Sequence, residues 1–100
     1  MAVARLCEDI ARQSYEVYRP KSPNIGIVHL GIGAFHRAHQ AVYTDTYMRE
    51  SKDYNWFIAG VSLRSSSVAN QLNPQDGYYT VQVSSANGVE TQLVQSVAKV

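Results

Sequence analysis

The sequence has one cysteine and no long apolar run, and both absences limit what the protein can be. Cys7 is the only cysteine among 100 residues, which rules out an internal disulfide and is typical of a reducing compartment. No lysine or histidine lies near Cys7 in sequence, so a partly buried, unreactive thiol is favoured. No stretch approaches the ~20 apolar residues of a membrane span, and the opening residues lack the apolar core of a secretion signal. We therefore expect a cytoplasmic protein with no membrane partner.

Charge is also sparse, and the two signs balance. Nine lysines and arginines and eight aspartates and glutamates give a net charge of +1, with charged residues at 17%. Neither the basic field of a nucleic-acid-binding protein nor the high net charge of a disordered chain is present. Hydrophobic residues make up 45% of the chain, which predicts a globular domain. No metal site is expected, because His29, His36 and His39 have no cysteine, aspartate or glutamate at a ligand spacing.

The most informative stretch is an apolar run that ends in a Gly-x-Gly turn. Ile25–Leu30 has the length and β-branched content of a buried parallel strand. Gly31 permits a tight turn with unusual backbone angles, and Gly33 has no Cβ, so a ligand can come close to its backbone. The helix predicted to follow directs free N–H groups at the turn, an arrangement that binds phosphate. The dinucleotide fingerprint has a third glycine where this chain has His36, so by generic rules the motif is incomplete.

An N-terminal helix and a connector are predicted to precede this strand. The helix covers Leu6–Tyr18 and ends before Arg19–Pro20, because the residue before proline avoids the helical region. A helix that packs on the rest of the protein is favoured over a lid or a partner surface. Residues 1–24 are therefore treated as one N-terminal segment.

A strand–helix–strand unit is predicted around the glycine turn. The helix covers about Phe35 to Arg49, and a second buried strand covers Trp56–Val61. This order and spacing are those of a right-handed βαβ unit with parallel strands. The helix residues predicted to face the sheet are mostly small or apolar: Phe35, Ala38, Ala41, Val42 and Met48.

A short helix and a β-hairpin are predicted in the last third of the chain. Serine hydroxyls offer N-caps for a helix over Ser67–Leu72, which Asn73–Pro74 ends. Two partly alternating stretches, Tyr78–Ser85 and Val89–Val97, flank Asn87–Gly88, the strongest short hairpin signal. We expect this hairpin to be an insertion between strand–helix units.

The residues around the glycine turn resemble the mannitol dehydrogenase family, the polyol-specific long-chain dehydrogenases and reductases. In that family Phe-His-Arg-Ala-His-Gln follows the turn, as at residues 35–40 here, and a histidine in place of the third glycine is normal. Gly60–Ser65 and Pro74–Thr80 are similar as well, so the resemblance runs from about Pro23 to the last residue. It implies an α/β fold in which residues 25–100 form the first, incomplete part of a Rossmann-like dinucleotide-binding domain. A C-terminal helical substrate domain would lie outside this chain.

The resemblance also implies hydride transfer between a nicotinamide cofactor and C2 of a linear sugar acid or polyol. The strings Ser62–Ser65 and Pro74–Gly77 favour fructuronate and mannonate over fructose and mannitol as the small-molecule substrate. The catalytic lysine of the family, with its asparagine and histidine helpers, lies in the C-terminal half, and Lys21, Lys52 and Lys99 do not match that motif. We therefore expect no catalytic residue in this chain and no activity from it alone.

The cofactor-binding residues are predicted at the turn and after the second strand. Ile32, Ala34 and Phe35 would contact the pyrophosphate through their backbone, and Arg37 is as well explained by a solvated or salt-bridged helix position as by contact with the phosphates. The full predicted set is Gly31, Ile32, Gly33, Ala34, Phe35, His36, Arg37 and Arg64.

The end of the second strand bears on the choice between NAD and NADP. An acidic side chain there accepts hydrogen bonds from the ribose 2′-OH, whereas a basic one suits a 2′-phosphate. Residues 63–66 include no acid, which favours NADP, but the resemblance implies NAD, and NAD is slightly favoured overall. Arg64 stacked on the adenine would not discriminate between the two.

Two other function classes stay open on the sequence alone. A non-catalytic nucleotide-sensing Rossmann module would share the glycine turn and would need no catalytic lysine. An adenosylmethionine-dependent methyltransferase also uses a Gly-x-Gly turn, but it needs an acidic residue after the second strand, and Val61–Arg64 has none.

Overall fold

A three-stranded parallel sheet organises the chain. The computed structural model describes residues 5–100. The strands β1 (Ile25–Leu30), β2 (Phe57–Val61) and β5 (Val97–Lys99) lie in the order β1-β2-β5, and both pairings are parallel. The predicted second strand began one residue earlier, at Trp56, which instead precedes β2 and donates its indole N–H to Asp53 Oδ2 at 2.9 Å.

A separate antiparallel hairpin consists of β3 (Tyr79–Ser85) and β4 (Gly88–Val94). Its second strand ends earlier than predicted, because Val97 already belongs to β5 of the parallel sheet. The two-residue loop is Ala86–Asn87 rather than the predicted Asn87–Gly88, because the following glycine already pairs with the last residue of β3. Together the two sheets confirm the predicted α/β class, a parallel sheet with an inserted hairpin.

Four helices and one 3₁₀ turn connect the strands in the described part of the chain. They are α1 (Glu8–Ser14), α2 (Ala34–Ala38), α3 (Gln40–Ser51), α4 (Ser67–Leu72) and the 3₁₀ turn (Asn73–Gln75). Helices α2 and α3 fill the connection between β1 and β2, and α4 has the predicted bounds. Its N-cap, Ser66, makes no side-chain capping hydrogen bond, whereas the Ser65 hydroxyl accepts the Ser67 backbone N–H at 3.4 Å. Within residues 5–100, no helix is long and apolar enough to cross a lipid bilayer.

The N-terminal helix is shorter than predicted. It ends at Ser14, and Tyr15 is extended, with φ −137° and ψ 163°. The backbone N–H groups of Tyr18 and Arg19 both donate to Gln95 Oε1, at 3.1 and 3.3 Å. At the end of the predicted helix, tertiary hydrogen bonds therefore replace helical ones. The first four residues of the predicted 1–24 segment lie outside the described residues.

The helix predicted from Phe35 to Arg49 is in fact two helices that meet at His39. That residue has φ −123° and ψ −79°, outside the helical region. Its backbone N–H donates to His36 O at 3.3 Å, while its ring Nδ1 donates to Phe35 O at 2.8 Å. The ring thus takes the carbonyl that the backbone N–H of residue 39 would use in a continuous helix.

The break changes which side chains face the sheet. Ala41 and Met48 of α3 are fully buried, as predicted, and Val42 is half-buried. Phe35 is 78% exposed and Ala38 is also exposed, so the prediction is wrong for these two α2 residues. Helix α3 alone therefore covers the sheet with the predicted apolar face.

Among residues 5–100, strand β1 is less buried than its composition predicts. It pairs there only with β2, and Val28 and Leu30 on one face are each 67% exposed. Ile27 and His29 on the other face are half-buried. The neighbouring β2 fits the prediction better, since Ile58 is fully buried.

Two apolar clusters form the core. The larger cluster joins the parallel sheet to α3, α4 and the hairpin, through Ile32, Ala41, Ile58, Leu72, Val94 and Val97. In the smaller cluster α1 packs against the start and end of the hairpin, through Ala11, Tyr78 and Leu93. Since Ile32 belongs to the glycine turn, the turn is anchored directly in the main core.

A buried carboxylate ties three segments together. Asp45 of α3 is fully buried, and its Oδ1 accepts the Tyr18 hydroxyl at 2.6 Å and the Gln95 backbone N–H at 2.9 Å. Its other oxygen accepts a guanidinium N–H of Arg49 at 2.6 Å. Burial raises the pKa of Asp45, and these donors oppose that effect. The sequence pattern had not singled out this residue.

Candidate dinucleotide-binding site

The glycine turn follows β1 and is hydrogen-bonded to the end of the neighbouring strand β2. Gly31 has φ +88°, a left-handed conformation that favours glycine, and its N–H donates to Val61 O at 2.8 Å. Gly33 precedes α2 with φ −74° and ψ −177°, which any residue can adopt. A Cβ at position 33 would meet no atom within 4 Å. Gly31 is therefore needed for the backbone, whereas Gly33 leaves open space beside the turn.

A cavity of about 290 Å³ lies beside this turn, outside the carboxyl ends of β1 and β2. Open parallel sheets bind their ligands at this edge. The residues that line the cavity come from the turn, from the segment after β2 and from the first turn of α4: Gly31, Ile32, Gly33, Ser62, Leu63, Arg64, Ser65 and Val68. The cavity thus brings together two stretches that lie about thirty residues apart in the chain.

Of the predicted cofactor-binding residues, Gly31, Ile32, Gly33 and Arg64 line the cavity and the four in α2 do not. The Ile32 side chain points into the core, so only its backbone is available at the turn. The residues of α2 that fall outside the cavity lining are Ala34, Phe35, His36 and Arg37.

Each of the larger α2 side chains has a local contact instead. Phe35 stacks on His39, with ring centroids 4.2 Å apart. Arg37 directs its Nε to Gly33 O at 3.4 Å, and its carbonyl accepts the Tyr79 hydroxyl at 2.7 Å. The side chain of Arg37 thus contacts the turn, and its backbone carbonyl contacts the hairpin.

Two stacked histidines support the turn. The rings of His29 and His36 have centroids 3.8 Å apart, and His29 Nδ1 donates to Gly31 O at 2.6 Å. His36 is buried, and its Nδ1 lies 3.2 Å from Gln40 Oε1. Burial, followed by the proximity of His29, lowers the pKa of His36. Within the described chain no three metal-ligating side chains converge.

The predicted set of cofactor-binding residues omits two polar residues of the cavity wall, Ser62 and Ser65. Ser62 is the first residue after β2, and its Oγ is buried without a hydrogen-bond partner among residues 5–100. A buried hydroxyl without a partner is unfavourable, so an unpaired hydroxyl in a cavity wall points to a ligand contact. Position directly after a parallel strand was the signal that could have identified it.

A larger cavity, of about 710 Å³, lies at the opposite edge of the sheet. Two of its lining residues, Tyr54 and Gln95, come just before β2 and β5, so it opens at the amino ends of these strands. Ligands of parallel sheets bind at the other edge, and we therefore assign the candidate site to the smaller cavity.

A parallel sheet whose first strand leads through a Gly-x-Gly turn into a helix, with a cavity at the strand ends, defines a Rossmann-like domain. The family model described as the mannitol dehydrogenase Rossmann domain matches residues 25–100. The chain therefore belongs to the mannitol dehydrogenase family. The resemblance identified from the residues after the turn is confirmed.

Similar proteins are polyol and sugar-acid enzymes. Mannitol 2-dehydrogenase of Pyrenophora tritici-repentis is 36% identical over 86 residues, which are 84% of this chain and 15% of that protein. D-mannonate oxidoreductase of Escherichia coli is 40% identical over 91 residues, which are 88% of this chain and 18% of that protein. The chain thus spans less than a fifth of the length of these curated relatives.

A solved structure shows the same fold. The ternary complex of Pseudomonas fluorescens mannitol 2-dehydrogenase with NAD and D-mannitol matches this chain with a TM-score of 0.77 and 33% identity. The match covers 94% of this chain and 21% of that one. Nearly the whole chain therefore corresponds to one part of a larger dehydrogenase.

Proposed function

We propose that this chain is the nucleotide-binding part of an oxidoreductase that uses NAD or NADP and acts on C2 of a linear sugar acid or polyol. The observation that carries the proposal is the cavity between the glycine turn and the segment after β2, in a chain of the mannitol dehydrogenase family. The similar dehydrogenases, one of them solved with NAD, support the cofactor and the reaction type.

The residues present fit a dinucleotide. The open space beside Gly33 admits a pyrophosphate close to the backbone, and Ile32 holds the turn in place from the core. The unpaired Ser62 hydroxyl and the Arg64 side chain offer polar contacts at the end of β2. When bound, the nicotinamide would supply the hydride chemistry, and this domain would position it.

No catalytic base is assigned within this chain. Oxidation at C2 releases a hydride to the cofactor and a proton to a base. Lys21, Lys52 and Lys99 are outside the cavity lining. We place the base in another part of the complete protein, together with a helical substrate domain, and we expect the 100-residue chain alone to be inactive.

Among substrates, we favour mannonate and fructuronate, followed by mannitol and fructose. The support is the likeness of Ser62–Ser65 and Pro74–Gly77 to sugar-acid members of the family and the 40% identity to a D-mannonate oxidoreductase. The complete protein, given NAD and either D-mannonate or D-mannitol, should form NADH faster with mannonate. Faster oxidation of mannitol would instead identify the polyol as the preferred substrate.

Titration of the complete protein with NADH, followed by nicotinamide fluorescence, tests the site itself. Gly33→Val fills the open space beside the turn, and its backbone angles suit any residue, so the fold should persist while NADH binding weakens at least tenfold. Ala86→Val in the hairpin loop adds bulk away from the cavity and should leave binding unchanged. Undiminished NADH binding by a folded Gly33→Val protein would show that the cofactor binds elsewhere.

A further inference from the structure

The cavity wall after β2 carries a free cation and no carboxylate. Arg64 lines the cavity and makes no ion pair or hydrogen bond to any residue that the structure describes. No acidic residue occurs in the sequence between Asp53 and Asp76, and none of the described acids lines the cavity. Asp53 itself is engaged by the Trp56 indole N–H before β2 begins. Nothing at this end of the site therefore repels an anion.

Two serines line the same cavity as this cation. The Ser62 Oγ is buried without a partner in the described part of the chain. Ser65 Oγ lies 3.1 Å from Ser67 Oγ and 3.4 Å from the Ser67 backbone nitrogen. An arginine and serine hydroxyls in one cavity wall form a donor set that suits a phosphate, since arginine pairs with phosphate oxygens in a bidentate manner.

The segment after the second strand is where a Rossmann site contacts the ribose 2′ position of a dinucleotide. An acid there binds a 2′-OH and disfavours a 2′-phosphate, whereas an arginine accommodates the phosphate. We propose that Arg64, with Ser62 and Ser65, accepts the 2′-phosphate of NADPH, so that the protein binds NADPH at least as tightly as NADH. This inference rests on the proposed dinucleotide site, and it assigns a phosphate contact that only NADP(H) can make.

Parallel fluorescence titrations of the complete protein with NADPH and NADH test the inference. We expect an NADPH dissociation constant equal to or below that of NADH at low ionic strength. Arg64→Gln should weaken NADPH at least tenfold and NADH less than threefold. Ser65→Asp should also weaken NADPH selectively, because it adds a carboxylate beside the phosphate, whereas Ala86→Val, away from the cavity, should leave the binding of both cofactors unchanged.

The outcomes separate this inference from the proposed function. Binding of NADH with NADPH at least tenfold weaker overturns the 2′-phosphate site and leaves the proposed function intact. Equal weakening of both cofactors by Arg64→Gln shows that Arg64 stacks on the adenine, and that result also overturns the inference. Binding of neither cofactor by the folded wild-type protein overturns both proposals.

Discussion

Gly60 of β2 lies directly against Ile32, the middle residue of the Gly-x-Gly turn. A Cβ at position 60 would lie 2.9 Å from Ile32 Cδ1, closer than carbon atoms pack. Ile32 is only 3% exposed and belongs to the main core cluster. The turn is therefore positioned by a side chain that fills the space above a glycine of the neighbouring strand.

Gly60→Ala should destabilise the protein by about 1–3 kcal/mol, because the added methyl overpacks this contact. Displacement of Ile32 should also disturb the cavity, so NADH binding should weaken as well. Thermal unfolding of the complete protein, compared with its NADH titration, measures both effects.

A double substitution checks the cause. Ile32→Val removes Cδ1 and alone should cost about 0.5–1.5 kcal/mol. Combined with Gly60→Ala, it should recover only a small part of the loss, because Cδ1 is removed while Cγ1 and Cβ, at 2.9 and 3.0 Å from the added methyl, remain. If the losses in free energy of unfolding of the two single variants simply add in the double variant, the side chains at positions 32 and 60 do not clash.

The two glycines of the turn should respond differently to alanine. Gly31→Ala places a Cβ on a residue with φ +88° and should cost about 1–2 kcal/mol of stability. Gly33→Ala has open space and ordinary backbone angles, so its stability should change by less than about 0.5 kcal/mol. Thermal unfolding midpoints of the two variants provide the comparison, and equal losses would contradict the assigned roles.

The Asp45 network should depend on buried hydrogen bonds more than on its ion pair. Asp45→Ala leaves the Gln95 N–H without an acceptor and leaves the Tyr18 hydroxyl only its 3.3 Å contact with the backbone oxygen of residue 45, and we expect a loss of about 2–4 kcal/mol. Arg49 has a side chain 43% exposed, so Arg49→Gln should cost less than about 1 kcal/mol. A larger loss for Arg49→Gln in thermal unfolding would mean that the ion pair dominates.

Stability should decrease as the solution becomes acidic, because His36 is neutral in the folded protein. Burial holds the pKa of His36 below its ordinary value of 6.5, so the unfolded chain binds the proton first as pH falls. The contribution is complete above pH 6.5 and is lost as pH falls through the folded pKa. His36→Phe keeps a ring against His29 but cannot titrate, and it should flatten the change in unfolding midpoint between pH 7.5 and 5. An unchanged pH dependence in the His36→Phe protein would show that His36 is not its source.

The strands could be predicted from the sequence because the signal for each strand lies in the composition of its own residues. Ile25–Leu30 and the run that ends at Val61 are apolar and β-branched, and a glycine turn follows the first. The helix Ser67–Leu72 is bounded by serines and a proline, which act on their immediate neighbours. Such signals need no knowledge of the rest of the fold.

The missed features depend on contacts between distant residues or on side chains that compete with the backbone. The helix break at His39 comes from a ring that donates to Phe35 O, which helical periodicity cannot reveal. Asp45 has the charge of a surface residue, and only the approach of Tyr18 and Gln95 makes it a core residue. Ser62 can be identified as a ligand-contacting residue only from the topology, which places it beside the turn.

The uncovered edge of the sheet has a practical consequence for work with this domain. In the described part of the chain β1 pairs only with β2, and its free edge lies beside an exposed face formed by Val28 and Leu30. An exposed apolar edge strand is a template for pairing with a strand of another molecule, so the separately expressed domain should self-associate. Lysine at positions 28 and 30 would oppose that pairing by charge repulsion and would favour a monomeric preparation.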